Sequence, residues 1–266
     1  MRLRNQNGFT LIELMIGIVL ALFIVGGLYT MLGSSQLSYA LSRANNALNG
    51  SGQRVTQLIW NHLHQAGYVN YQRQIMRRQL PTGGTSLGSN IWAEGQSLFA
   101  ENNITSEAGI LANTDRLTLR FWGSSISDND PAQPTNQATD NRMFDCNGEP
   151  VSNQDLVQLT LYVSSAGELI CKDNRSHTVV MERNIESLQF RFRRSGTNQQ
   201  FVTANTLTAA MWPTVDAIEF GVLTTQASGQ GVKATAKTYQ ILEQSVNAAA
   251  DKLIRQSLTG SITLKN

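Results

Sequence analysis

Charge is scarce in this chain, and so are the residues that usually carry chemistry. Asp, Glu, Lys and Arg make up 15% of its 266 residues, against roughly 25% in soluble domains. There are three histidines and two cysteines. His62 and His64 stand two apart on a helical stretch and do not face one another, and His177 is distant in sequence, so the three make a poor metal or catalytic set. The sequence has no C-x-x-C and no phosphate-binding glycine loop. These absences argue against a dithiol redox enzyme and a nucleotide hydrolase. Neither a cofactor nor a resident metal is expected. Asp128, Asp130, Asp140 and Asp145 lack the regular spacing of a calcium loop. Arg73, Arg77 and Arg78, like Arg191, Arg193 and Arg194, have no interleaved exposed aromatics, which argues against nucleic acid as a partner.

What is present begins at the N-terminus. From Leu14 to Leu32 the only clearly polar side chain is Thr30. Those 19 residues suffice to cross a hydrocarbon core as a helix. A secretory signal would have a shorter apolar core and a small-residue cleavage site behind it; here "TMLGSSQLSYALS" continues helically. A plain membrane anchor explains the length but not Glu13, because an acid within a membrane segment is a functional hypothesis by default. The bland alternative places Glu13 at the interface, reaching water.

Beyond the apolar run, Leu37, Leu41, Ala44, Leu48, Val55, Leu58, Ile59, His62 and Ala66 recur mostly at three, four or seven residues and mark one stripe of an amphipathic helix. Gly50-Ser51-Gly52 interrupts the stripe and is the place for a kink, and Gly67 is a candidate C-cap. The remainder reads as strands. "DRLTLRFW" (Asp115–Trp122) alternates. "DLVQLTLYV" and "ELICK" flank Ser164–Gly167 as a hairpin. "IESLQFRFRRS" puts Leu188, Phe190 and Phe192 on one face; "VDAIEFGVLTT", "KATAKTYQIL" and "GSITLKN" add further strands. Segments around Pro81–Asn90 and Ser124–Asn141 read as loops. The expected fold class is α+β: a long N-terminal helix, membrane-spanning in its first half, packed on an antiparallel β-sheet head.

Taken together, "RLRNQNGFTLIELMIGIVLALFIVGGLY" closely resembles the class III signal of type IV pilins and type II secretion pseudopilins. The resemblance implies that prepilin peptidase cuts between Gly8 and Phe9 and methylates Phe9. It implies that Glu13 serves subunit docking by pairing with the terminal amine of a neighbour or of its own chain. Removal of residues 1–8 would take Arg2 and Arg4 away and leave 19 basic against 19 acidic side chains. "RVTQLIWNHLHQAGY", "FDCNGEPV" with "ELICK", and "SITLKN" resemble the PilW-type minor pilins in particular. The GspJ-type minor pseudopilin shares the architecture and is the second reading. An enzyme anchored in the inner membrane is the remote third.

The organisation expected is a leader at 1–8, a transmembrane helix half at 9–33, an amphipathic half at 34–67 and a β-rich periplasmic head at 68–266. A head outside the cytoplasm favours an oxidised Cys146–Cys171 pair over two free thiols, and the resemblance implies the same pairing. It further implies a structural subunit that primes pilus assembly and ends at the tip, with no catalysis of its own. The implied partners are prepilin peptidase, the inner membrane, other minor pilins, the major pilin and a tip adhesin.

Overall fold

The computed structural model describes residues 10–69, 80–84, 91–124, 143–152, 155–196, 200–228 and 235–264. The chain opens on one helix, α1 (Leu11–Leu63), of 53 residues, about 80 Å long at 1.5 Å per residue. Thr10 is its N-cap. Its two halves differ completely in cover. Large apolar side chains from Leu11 to Leu32 are 51–79% exposed. Ala44, Leu48, Ser51, Gly52, Val55, Ile59, His62 and Leu63 are buried, on a three-and-four spacing that forms a single face. Leu37, expected on that stripe, is exposed, and Leu41 and Leu58 lie at its margins.

Gly50-Ser51-Gly52 does not break the helix. Ser51 and Gly52 instead belong to the buried face. A Cβ at position 52 would fall 2.5 Å from Leu258 Cδ1, so glycine there lets the helix backbone approach a strand of the head closely. The helix stops at Leu63, four residues short of the expected cap. Residues 64–67 form a turn, closed by Gly67 at φ +78°. Gly67 N–H donates to Arg120 O (3.0 Å), and Trp122 N–H donates to Tyr68 O (2.9 Å). The chain thus leaves the helix by pairing with a strand.

The head has two main sheets. The first holds β1 (Leu98–Ile104), β2 (Thr114–Trp122), β3 (Leu156–Val163), β4 (Glu168–Asp173) and β5 (Thr178–Arg183), side by side in chain order and antiparallel. The hairpin at Ser164–Gly167 is as expected, with Gly167 N–H donating to Ser164 O (2.8 Å). A single residue, Asn184 at φ +63°, separates β5 from β6 (Ile185–Arg194), which starts the second sheet. There β7 (Val215–Ala227) lies between β6 and β10 (Leu253–Thr263), and β8 (Lys237–Ile241) pairs with β9 (Gln244–Ala248). α1 packs on β10 and β7 and touches β5, with Arg54 Nε 2.7 Å from Glu182 Oε2. The core joins Val55, Ile59 and Leu63 to Leu117, Leu119, Phe121, Leu188, Phe190, Phe192 and Phe220, all fully buried.

The alternation of β2 predicts one wet face, and the structure covers both. Leu117, Leu119 and Phe121 face the core. Arg116, Thr118 and Arg120 are also buried, at 5%, 2% and 1% exposure. Arg120 is held without a carboxylate contact among the described residues. Its Nε donates to Gln96 O (2.5 Å), Nη1 to Pro81 O (2.6 Å) and Nη2 to Ala93 O (2.7 Å), and its guanidinium lies 4.6 Å from the Trp92 ring. Burial pulls its pKa down to about 10. The guanidinium fastens the segment before β1 onto the sheet by carbonyls alone.

Candidate assembly surfaces

At the membrane end, Gly8 and Phe9 lie outside the described residues. Glu13 is described and forms a capping box with Thr10. Its carboxylate accepts from Thr10 N–H (2.9 Å) and Thr10 Oγ1 (3.0 Å), while Glu13 N–H donates to Thr10 Oγ1 (3.4 Å). The acid therefore has an intrachain partner one turn into the helix, and both the carboxylate and the helix terminus gain by it. Beyond it, the polar groups are closed locally: Thr30 Oγ1 donates to Gly27 O (2.8 Å) and Ser34 Oγ to Met31 O (2.9 Å), as hydroxyls do in apolar helices. This is the one helix among the described residues long and apolar enough to cross a membrane.

At the other end of α1, Cys146 and Cys171 are joined, with Cα atoms 5.5 Å apart and a sequence separation of 25. A loop of that length is worth roughly 3 kcal/mol in the chain-entropy picture. The bridge fixes residues 143–152 against β4. Gln65 ties the same segment to the helix: Phe144 N–H donates to Gln65 Oε1 (2.7 Å), so Gln65 Nε2 faces His62 Nδ1 (3.1 Å). That amide leaves His62 Nδ1 as acceptor and the ring neutral, and burial lowers its pKa to about 4. Between the helix end, this loop and β5 lies a groove of about 610 Å³, lined by Leu58, His64, Phe144, Val180 and Met181 among others. Phe144, Val180 and nearby Trp60 are among the few large apolar side chains exposed on the head.

The histidines do not converge on each other. His62 stays on the helix and His64 caps its end, against Trp60 at 3.8 Å, while His177 meets Asp145 and Asp173. Asp128, Asp130 and Asp140 lie outside the described residues, as do Arg73, Arg77 and Arg78. The arginines of β6 are occupied: Arg191 Nη2 donates to Glu219 Oε2 (2.6 Å), Arg193 Nε to Asp216 Oδ1 (2.9 Å) and Arg194 Nε to Thr214 Oγ1 (3.0 Å).

One buried acid joins the two sheets. Asp115, on β2, accepts from Asn103 N–H of β1 (2.8 Å), from Asn102 Nδ2 (3.2 Å) and from Phe190 N–H of β6 (2.7 Å). Burial, with Glu243 as a nearby like charge, raises its pKa to about 7. Sequence pattern alone could not find it, since an Asp at a strand start reads as a turn residue. Asp115 and His62 act oppositely on stability. A raised acid binds more protons folded than unfolded, so its contribution is full below its unfolded value near 4 and is lost as pH rises towards 7. A depressed histidine contributes fully above its unfolded value near 6.5 and loses this as pH falls towards 4. Between pH 4.5 and 6.5 the two slopes offset. His62→Gln should therefore make the head less stable as pH rises, and Asp115→Asn should make it more stable, each by up to about 1.4 kcal/mol per pH unit. Urea midpoints at three pH values would show it; two variants whose profiles run parallel to the wild type would refute the assignment.

A comparison with protein-family models matches residues 151–266 to a family described as Type IV Pilus-assembly protein W and residues 3–29 to the prokaryotic N-terminal methylation motif. Among curated proteins nothing matches. Among solved structures, a type IV-like pilin from Thermus thermophilus aligns over 82% of this chain and 97% of its own, at 13% identity and a TM-score of 0.44. The methylation motif reaches from residue 3 into most of the uncovered helix half; the assembly-protein match covers β3 to β10. The two family models thus tie the N-terminal helix to the type IV pilin methylation motif and the second part of the head to the PilW type of type IV pilus-assembly protein, which supports a minor pilin role.

Proposed function

We infer that this protein waits in the inner membrane with its head in the periplasm, primes pilus assembly with other minor pilins and ends at the filament tip. The observation that carries the reading is the division of α1: one unbroken helix, uncovered from Leu11 to Leu32 and buried in its own head from Ala44 to Leu63. Naked apolar surface of that length needs lipid first and the helices of other subunits later. The Cys146–Cys171 bridge supports an oxidising compartment for the head. Removal of residues 1–8 would place the amine of Phe9 next to Thr10 and Glu13, where it competes with the capping box for the carboxylate. The major pilin would follow the primed complex, and an adhesin at the tip is the further partner. The protein's part is positional, with no turnover of its own.

The test begins with processing. In cells with prepilin peptidase the mature mass should be that of a chain starting at methylated Phe9. Gly8→Leu should retain the leader and, as the sole copy, leave cells without surface pili. Normal processing of the variant would remove the cleavage assignment. Loss of protein secretion with intact pili would turn the reading towards the GspJ-type pseudopilin.

A further inference from the structure

We propose that Asp145, Asp173 and His177 form a binding site for a divalent transition ion of the Zn²⁺ kind, set beside the disulfide at the membrane-distal end of the helix. His177 Nδ1 lies 3.3 Å from Asp145 Oδ2 and 3.1 Å from Asp173 Oδ2, and the three ligand atoms all lie within 4.8 Å of one another. A four-coordinate ion with bonds of about 2.0–2.1 Å holds its ligands roughly 3.3–3.4 Å apart, so the imidazole already stands at the required separations from both carboxylates.

The outer shell is in place too. Each carboxylate commits its other oxygen to backbone N–H groups: Asp145 Oδ1 accepts from Asn147 (3.0 Å) and Glu149 (2.9 Å), and Asp173 Oδ1 from Arg175 and His177 (2.9 Å each). Cys146 N–H also donates to Asp173 Oδ2 (3.2 Å). Such contacts orient ligands before an ion arrives. The disulfide does the same covalently, since Asp145 precedes Cys146 and Asp173 lies two residues past Cys171.

Both aspartate side chains are fully buried, and one guanidinium faces them. Arg175 Nη1 sits 3.1 Å from Asp145 Oδ2, with its side chain one-third exposed. Two buried carboxylates thus share one guanidinium and one imidazole, and buried charge calls for a partner. On binding, Arg175 turns to solvent, and the imidazole carries its proton on Nε2 so that the Nδ1 lone pair takes the ion. Asp145 lines the groove below the helix end, which gives an entry path and room for water as fourth ligand.

The full processed chain in detergent, washed with chelator, is titrated with Zn²⁺ alone and followed by calorimetry. Co²⁺ in place of Zn²⁺ reports coordination by its visible absorption. The expected result is one ion per chain and an intense four-coordinate Co²⁺ band. His177→Gln should weaken Zn²⁺ binding at least about tenfold. Arg175→Gln, which removes the competing cation, should tighten it by roughly the same factor. A chain that takes up no Zn²⁺, Zn²⁺ binding indifferent to His177→Gln, weaker binding in Arg175→Gln, or Ca²⁺ bound as well as Zn²⁺ would each overturn the site.

Discussion

Cells whose only copy carries Glu13→Gln should cleave, methylate and insert the protein normally and still lose most surface pili. The choice of glutamine is what gives the experiment its force. In the structure Glu13 caps its own helix through Thr10 N–H, and glutamine caps at that position nearly as well. If capping were the purpose of the acid, Glu13→Gln would assemble and only Glu13→Val would fail. If the purpose is to receive an incoming terminal amine, as proposed, both fail alike, because a neutral amide cannot offset a cation in low dielectric. Insertion should not suffer, since both changes make the segment less costly to transfer into lipid. Co-purification of the processed variant with other minor pilins should fall by roughly an order of magnitude or more. Wild-type recovery and wild-type piliation in Glu13→Gln would return Glu13 to the role of a helix cap.

The largest loss of stability is expected at Arg120. Arg120→Ala deletes three short hydrogen bonds and leaves the carbonyls of buried Gln96, half-buried Ala93 and exposed Pro81 without that donor. It also removes the cation from the Trp92 face. Orphaned buried carbonyls and a lost charged donor together cost about 3–5 kcal/mol, equivalent to roughly 10 °C in melting temperature for a head of this size. Arg120→Lys should recover little, because an ammonium cannot reach three acceptors spread around a planar fork. Thermal unfolding followed by tryptophan fluorescence reads both variants. An alanine variant melting within about 2 °C of the wild type would mean that the segment before β1 is held by other contacts.

Arg120 also marks where the sequence stops being legible. The alternation of β2 gave the strand and its inner face, Leu117, Leu119 and Phe121, without ambiguity. It could not say that the polar face would be roofed, because the roof is made of irregular backbone whose carbonyls have no sequence signature. β1, with "ENN" at its centre, and β5 and β9, short and mixed, carry too little periodicity to be read as strands; pairing with stronger neighbours makes them. Gly50-Ser51-Gly52 reads as a break because glycine is a poor helix former in isolation, whereas here the missing side chain is what brings β10 close. Glu13 was legible because a lone acid before an apolar run has few explanations. The meeting of Asp145, Asp173 and His177 was not, since it depends on a bridge and a hairpin turn that bring together residues up to 32 apart in number.

The helix made first is covered by the strand made last. Its buried face rests on β10 and β7, and β10 is the last strand of the described residues. Until β10 has been made, Leu48, Val55 and Ile59 lack most of the surface they lie against. The head can close only once β10 is in place, and until then a half-built subunit displays the very surface that a finished one hides. A nonsense mutation that removes β10 would leave this surface permanently open, marking the product for proteolysis although its apolar helix half is intact.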